Sequence, residues 1–302
     1  MSESSGLLPL NISRSGPLRG VASVVVSTMC VFFVSSGTTK AERQQYAVVA
    51  RVDAKNAGLT SGEAVVRIEN ISVPGTAIKA SPDIPRNIAI VMDAGPDQAK
   101  VLPKEKELAI ALINELFDAS TSFTIASIST LSRTQTTMVD RSVAIEHIRE
   151  ITGDSGEKTN VAIYDAIGSV IRQMAPSPGL HVVIFLGEGN DRGSRLRYAE
   201  LRSLAESNHI ACFAALVADH SLRGTKSILR YGWNLRELTS DTAGIFLENQ
   251  KTAKATRRLS ESVQDLRLIS FDMPSRPSGR YKILVLARRG KRLRAQKAIV
   301  IP

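Results

Sequence analysis

Asn87-Ile-Ala-Ile-Val-Met-Asp-Ala-Gly-Pro-Asp97 is the stretch that decides the fold. An apolar run of strand length ends in carboxylates at Asp93 and Asp97, and a segment of helical periodicity, residues 98–117, follows. The pattern recurs at His181-Val-Val-Ile-Phe-Leu-Gly-Glu-Gly-Asn-Asp191, where a second apolar strand delivers Glu188 into a glycine-rich turn. Between the two lies Thr159-Asn-Val-Ala-Ile-Tyr-Asp-Ala-Ile167, the opening of another apolar helix. In an open α/β sheet, ligands bind where strands end and loops begin. Carboxylates at such a point are suited to a hard cation such as Mg²⁺.

Outward from these stretches the α/β alternation continues. Strands are expected at 88–92, 123–128, 182–186, 211–217 and 245–247, with helices at 104–117, 143–151, 161–174, 196–207 and 229–238. Residues 134–139 add a short edge strand. Apolar strands separated by amphipathic helices imply a doubly wound, mostly parallel sheet with helices on both faces. Leu108, Leu112, Ile113 and Leu116 form one apolar stripe, read as core packing. Before residue 86 and after residue 265 the runs are strand-like without helices, a small β lead-in and a β tail. The expected organisation is 1–41 as leader or anchor, 42–85 as lead-in, 86–250 as the α/β domain and 251–302 as helix plus tail.

The order of these motifs resembles a von Willebrand factor type A domain, and most closely the VWFA-related domain described from acidobacteria. Thr239-Ser-Asp-Thr-Ala-Gly-Ile-Phe246 is similar to that family's Thr-Gly-Gly-x-Phe turn before the last core strand. Residues 58–69 resemble its strand-forming lead-in, and the tail from Leu266 its closing strands. The resemblance implies a metal-ion-dependent adhesion site built from Asp-x-Ser-x-Ser, a Thr before a helix and a later Asp. Asp93 matches the first Asp, while Gly95 and Asp97 stand where the two Ser belong. Tyr164-Asp165-Ala166 matches the family's helix start and places Val161 at the Thr position, with Thr159 the nearest hydroxyl. Glu188 stands in for the later Asp. The implied site is thus a degenerate one, with Asp93, Asp97, Glu188 and Thr159 as the candidate ligands for Mg²⁺ or Mn²⁺. The competing reading is a relic loop whose carboxylates favour a helix N-terminus.

Charge is uneven. From Lys251 to the end there are 14 Lys/Arg against three acids, a net +11. The whole chain carries +10, so residues 1–250 come to −1. Arg288, Arg289, Lys291 and Arg292, between the last two tail strands, are candidate contacts for an anionic surface. The bland reading of the same cations is that they keep a sheet edge soluble. Arg14 and Arg19 precede the apolar run 21–34, the order of a secretory leader, with small residues after it. That run is short of the ~20 residues that span a membrane. After the leader only Cys212 remains, inside an apolar run, and it reads as a core residue.

Enzyme-like strings do not assemble. Gly153-Asp-Ser-Gly156 has no suitable His before it, and Gly156-Glu-Lys-Thr159 lacks the glycine that a phosphate loop needs before Lys158. Trp233 and Tyr231 are expected to pack rather than to bind, and nothing interleaves aromatics with the basic tail as nucleic-acid binding requires. The expected function is therefore non-enzymatic: an exported, periplasmic or envelope-associated protein recognising a protein or surface ligand. The loops to carry the contact are 94–98, 156–160 and 187–193. The alternative is a structural envelope protein held to anionic surfaces by its basic tail.

Overall fold

The computed structural model describes residues 43–52, 59–80, 83–129, 133–138, 140–154, 161–217, 226–287 and 291–301. The chain divides at residue 40 into Met1–Lys40 and Ala41–Pro302, and the description concerns the second unit. The leader, Thr159 and the rest of loop 156–160, Arg288 and Arg289 lie outside the described residues.

A six-stranded sheet forms the centre. It contains β5 (Arg86–Asp93), β6 (Thr121–Ile128), β7 (Arg133–Met138), β8 (Leu180–Gly187), β9 (Ile210–Leu216) and β10 (Phe246–Glu248). Their spatial order is β10-β9-β8-β5-β6-β7, parallel throughout except for β7, which runs antiparallel to β6 at the edge. Every residue of β8 and of β9 is buried, as expected of strands covered on both faces. Alternation along β5 shows how the two faces are divided. Ile88, Ile90 and Met92 join a core with helices α1 (Leu102–Leu116), α2 (Arg141–Glu150) and α6 (Thr252–Gln264). Ala89 and Val91 join the opposite core, with α3 (Ile163–Met174), α4 (Tyr198–Ser207) and α5 (Lys226–Asp241). Each large apolar side chain so buried contributes roughly 1.5–3 kcal/mol, against the entropy of ordering it. The sheet and its helices are those that the periodicity predicts, with boundaries shifted by a few residues.

The lead-in and the tail fold together. Strand β1 (Arg43–Arg51) pairs antiparallel along its whole length with β11 (Leu266–Pro274). The second sandwich layer holds β2 (Val65–Ile68), β3 (Ile71–Pro74), β12 (Gly279–Leu286) and β14 (Ala298–Ile301). Strands β4 (Ala77–Lys79) and β13 (Arg294–Ala295) complete the first layer in the order β13-β1-β11-β4. Val48, Ala50, Ile68, Ile269, Phe271 and Val285 fill the space between the layers. The expected tail segment 251–302 is thereby divided. Its helix, α6, buries Ala255, Leu259 and Val263 against the α/β core, and only its strands enter the sandwich.

The sandwich is joined to the edge of the central sheet at which strands begin. Glu206, at the end of α4 and just before β9, is fully buried and takes Arg280 of β12 in a two-pronged ion pair, both contacts at 2.6 Å. The buried Gln296 amide donates to Glu206 O and to Ala298 O, each at 2.6 Å. Lys297 reaches Asp241 at the end of α5, at 2.9 Å. The opposite edge, where the strands end, is left to the loops.

Candidate functional site

Strand β5 leads to β6 and β7 on one side, and β8 leads to β9 and β10 on the other, so the order reverses between β5 and β8. This is the switch point at which open α/β sheets form a crevice. Asp93 ends β5 there, only 3 % exposed, and its Oδ1 accepts from the Gly95 backbone N–H at 3.0 Å. Beside it β8 ends in Gly187, which has φ +155°; a Cβ at this position would lie 2.4 Å from the Asp93 Cβ. Glycine is what lets the two strand ends close on the carboxylate. Glu188 follows, half-buried, and Asn190 beyond it is 7 % exposed with no partner for its Oδ1 among the described residues.

Under this cleft lies a residue that the apolar stripe of α1 concealed. Glu105 is fully buried, and its Oε2 has no hydrogen-bond partner among the described residues. Burial, and then the negative charge of Asp93, hold its carboxyl well above the ordinary carboxylate range, so the neutral acid is favoured. The Gln98 side chain lies between the two glutamates. In one orientation its nitrogen approaches Glu188 Oε2 at 3.4 Å; turned over, it donates to Glu105 Oε1 at 3.1 Å and Val217 O at 3.3 Å. The second orientation satisfies both ends of the amide. The signal for Glu105 in the sequence is its place one turn before Leu108 on the buried stripe, where a charge has no reason to be unless it meets a polar cluster.

The loop after β8 is tied to the start of α3. The residue before α3 is Ala162, which offers no side-chain cap. Asp191 supplies one from the loop, its Oδ1 accepting from Ile163 N at 2.7 Å, Tyr164 N at 3.3 Å and Ser194 Oγ at 2.6 Å. Asp165 returns the connection by accepting from the backbone of Arg195 and Leu196 at 3.1 and 2.8 Å. Arg192 N and Gly193 N both donate to Val161 O at 3.0 Å. Asp191 and Asp165 are thus spent on structure, and the cleft is walled by loops whose backbone is held.

The same geometry tests the metal. A Cβ on Gly95 would stand 2.9 Å from Val161 Cγ2, so the apolar side chain at the Thr position fills the place where the first Ser side chain would start. The cleft bounded by Asp93, Gly95, Gln98, Val161, Glu188 and Arg192 leaves about 10 Å³, room for one water at most. No three of His, Cys, Asp or Glu among the described residues come together as a metal cluster. Of the four candidate ligands, Asp93 and Glu188 are brought to one cleft. Asp97 falls in the 3-10 turn Pro96–Gln98 with its side chain undescribed, and Thr159 is outside the described residues. The described residues do not fit the hydroxyl-lined metal site that the resemblance implies.

Other expectations sort quickly. Lys291 and Arg292 are exposed and belong to the sandwich, away from the acidic cleft. Cys212 is buried, and burial pushes its thiol up to about 12, which leaves it inert. Trp233, expected to pack, is instead 59 % exposed on α5, with its Nε1 donating to Glu237 Oε1 at 3.0 Å. The helix turns Leu235 and Leu238 to the core and leaves residue 233 outside.

A doubly wound sheet with an antiparallel edge strand, Asp93 ending its central strand and Tyr164-Asp165-Ala166 opening the helix before β8 make one pattern. The fold is that of a von Willebrand factor A domain. No family model matches the sequence, and no curated protein does. Among solved structures the chain is similar to BatB from Bacteroides thetaiotaomicron, at 17 % identity and a TM-score of 0.47, over 59 % of this chain and 96 % of that one. An aerotolerance-related membrane protein from Bacteroides fragilis is similar at 15 % identity and TM-score 0.47, over 59 % and 98 %. The VWA domain of SpRpn10 is similar at 10 % identity and TM-score 0.43, over 58 % and 95 %. Among the described residues no helix is long and apolar enough to cross a membrane.

Proposed function

We propose that this vWA-type chain is an exported, non-enzymatic recognition protein. It binds a protein or cell-envelope ligand with the loops at the end of its sheet where strands terminate. The observation that supports this most is the cleft at the switch point. Loops distant in sequence converge there on Asp93 and Glu188, and bonds from Asp191, Asp165 and Val161 hold the wall in place. A wall ordered before binding lowers the entropic cost of association. With Gly95 and Val161 interlocked, the half-buried Glu188 and the exposed Arg192 at the rim of the cleft meet the ligand, and no metal ion mediates the contact. The exposed Trp233 on α5 is a side chain of the kind that anchors protein interfaces.

A photo-crosslinking side chain introduced at Arg192, on the cleft, and at Ser177, at the opposite edge of the sheet, tests the proposal in an envelope fraction. A discrete adduct from position 192, absent from 177 and unchanged by EDTA, is the expected result. Equal labelling from both positions would remove the recognition face. Loss of the adduct in EDTA would restore a metal-dependent site.

A second reading has the protein held to an anionic envelope component by its basic tail, through Arg288, Arg289, Lys291 and Arg292. The exposure of Lys291 and Arg292 favours it.

A further inference from the structure

A cleft of about 600 Å³ lies at the other edge of the sheet, between the end of α5, helix α6 and strands β12 and β13. That is within the ~300–1,000 Å³ typical of ligand sites. Among the described residues its lining contains Arg236, Arg258, Arg292, Arg294 and Lys297 and not one Asp or Glu. Arg236 is paired with Glu248 at 3.2 Å and Lys297 with Asp241 at 2.9 Å, both acids standing outside the lining. Arg258, Arg292 and Arg294 are exposed, and no ion-pair partner for them exists among the described residues. Three unpaired guanidiniums around one concavity repel each other, an arrangement that an anionic occupant relieves.

Two features narrow the occupant. The lining is also apolar, with Ala243, Ile245, Phe246, Ile283, Val285 and Leu293, so the ligand carries apolar groups among its charges. Strand β10 is an end strand, paired only with β9, and β13 ends its own sheet beside β1; Phe246, Arg294 and Ala295 of these two strands line the cleft. Unpaired strand edges accept an extended main chain. Nucleic acid is a poorer match, since among the described residues Phe246 is the one aromatic in the lining and the Arg236 guanidinium covers its ring at 4.5 Å.

We infer that this cleft binds an extended acidic peptide segment of a partner protein, its carboxylates on Arg258, Arg292 and Arg294 and its apolar side chains on the floor. The site narrows the basic-tail reading from a surface to a cleft, and does not depend on the recognition loops at the far edge.

The test uses the full chain and a fluorescein-labelled peptide alternating Glu and Val, with a Gln-for-Glu version as control, read by anisotropy. Saturable binding is expected, at least tenfold weaker for the Gln peptide and for the triple variant Arg258→Ala/Arg292→Ala/Arg294→Ala. Asp93→Ala should bind as the parent does, which separates this site from the acidic cleft. The control Lys251→Ala/Lys254→Ala/Arg257→Ala removes the same charge from residues outside the cleft. Equal weakening in that control, equal binding of the Gln peptide, or no saturation would overturn the inference. So would binding of inorganic tripolyphosphate or phosphatidylglycerol vesicles with the Glu–Val peptide unable to compete. Since the three arginines are exposed, circular dichroism and melting of the triple variant should match the parent.

Discussion

Glu105 is the carboxyl beneath the acidic cleft whose own ionisation the fold opposes. Its ordinary pKa is 4.5, and the fold raises it by burial and by the nearness of Asp93. Below pH 4.5 the carboxyl is protonated both folded and unfolded, so it places no ionisation cost on folding. As pH rises past 4.5 the unfolded chain releases the proton while the folded one keeps it. Stability then falls by about 1.4 kcal/mol per pH unit until the folded carboxyl also ionises. Glu105→Gln removes that slope. The variant should gain on the parent steadily above pH 4.5 in urea titrations taken from pH 4 to 8. Curves that stay parallel across that range would show that Glu105 is not held neutral. Ala243 marks a different limit of reading residue by residue. It stands where the related turn has glycine and adopts φ +70°, a left-handed conformation that alanine rarely takes. The resemblance placed the turn, and the strain at its second position emerged only in three dimensions.

The element most dependent on its surroundings is α3. Its apolar face is readable from spacing, and Ile163, Ile167, Val170, Ile171 and Met174 are all buried as that spacing requires. Its start is not readable, because Ala162 cannot cap and the cap comes from Asp191, 28 residues onward from Ile163. Asp191→Ala leaves the amides of Ile163 and Tyr164 without their acceptor. The expected cost is about 1–2 kcal/mol in denaturant unfolding, together with faster hydrogen exchange at those two amides. Loss of stability with exchange unchanged would place the role of Asp191 in the loop alone. By contrast α2 carries its own signal: Asp140 directly before it accepts from Ser142 N and Val143 N. The two helices differ in whether the capping residue is a chain neighbour.

At the scale of the molecule, the α/β layer and the β-sandwich meet through a charge that neither could bury alone. Glu206 has no exposure, and Arg280 supplies both of its short contacts. Arg280→Met would strand that carboxylate, at a cost of about 3 kcal/mol, the low end for a broken buried pair because Arg280 is itself 35 % exposed. Replacing both partners, Glu206→Leu with Arg280→Met, should recover most of the loss. Thermal melts of the two variants decide the point: a double variant no better than the single one would mean that packing, not the stranded charge, sets the cost.

What the sequence determined by itself was the strands of the central sheet, the helices beside them and most of their buried sides, since a strand or helix announces its apolar face in the spacing of its own residues. It also carried the order of strand-end acids and helix starts that marks the vWA fold, and the excess of positive charge in the tail. Tertiary structure alone decided the sites. Gly95 meets Val161, Gln98 meets Val217, and Arg258 faces the same cleft as Arg292 and Arg294 only because of the strand order and the pairing of β1 with β11. That order is a property of crossovers between distant segments, and no local periodicity records it. The crowding at the position of the first Ser has the same cause: a Cβ on Gly95 would stand 2.9 Å from a methyl of Val161, 66 residues away in the chain.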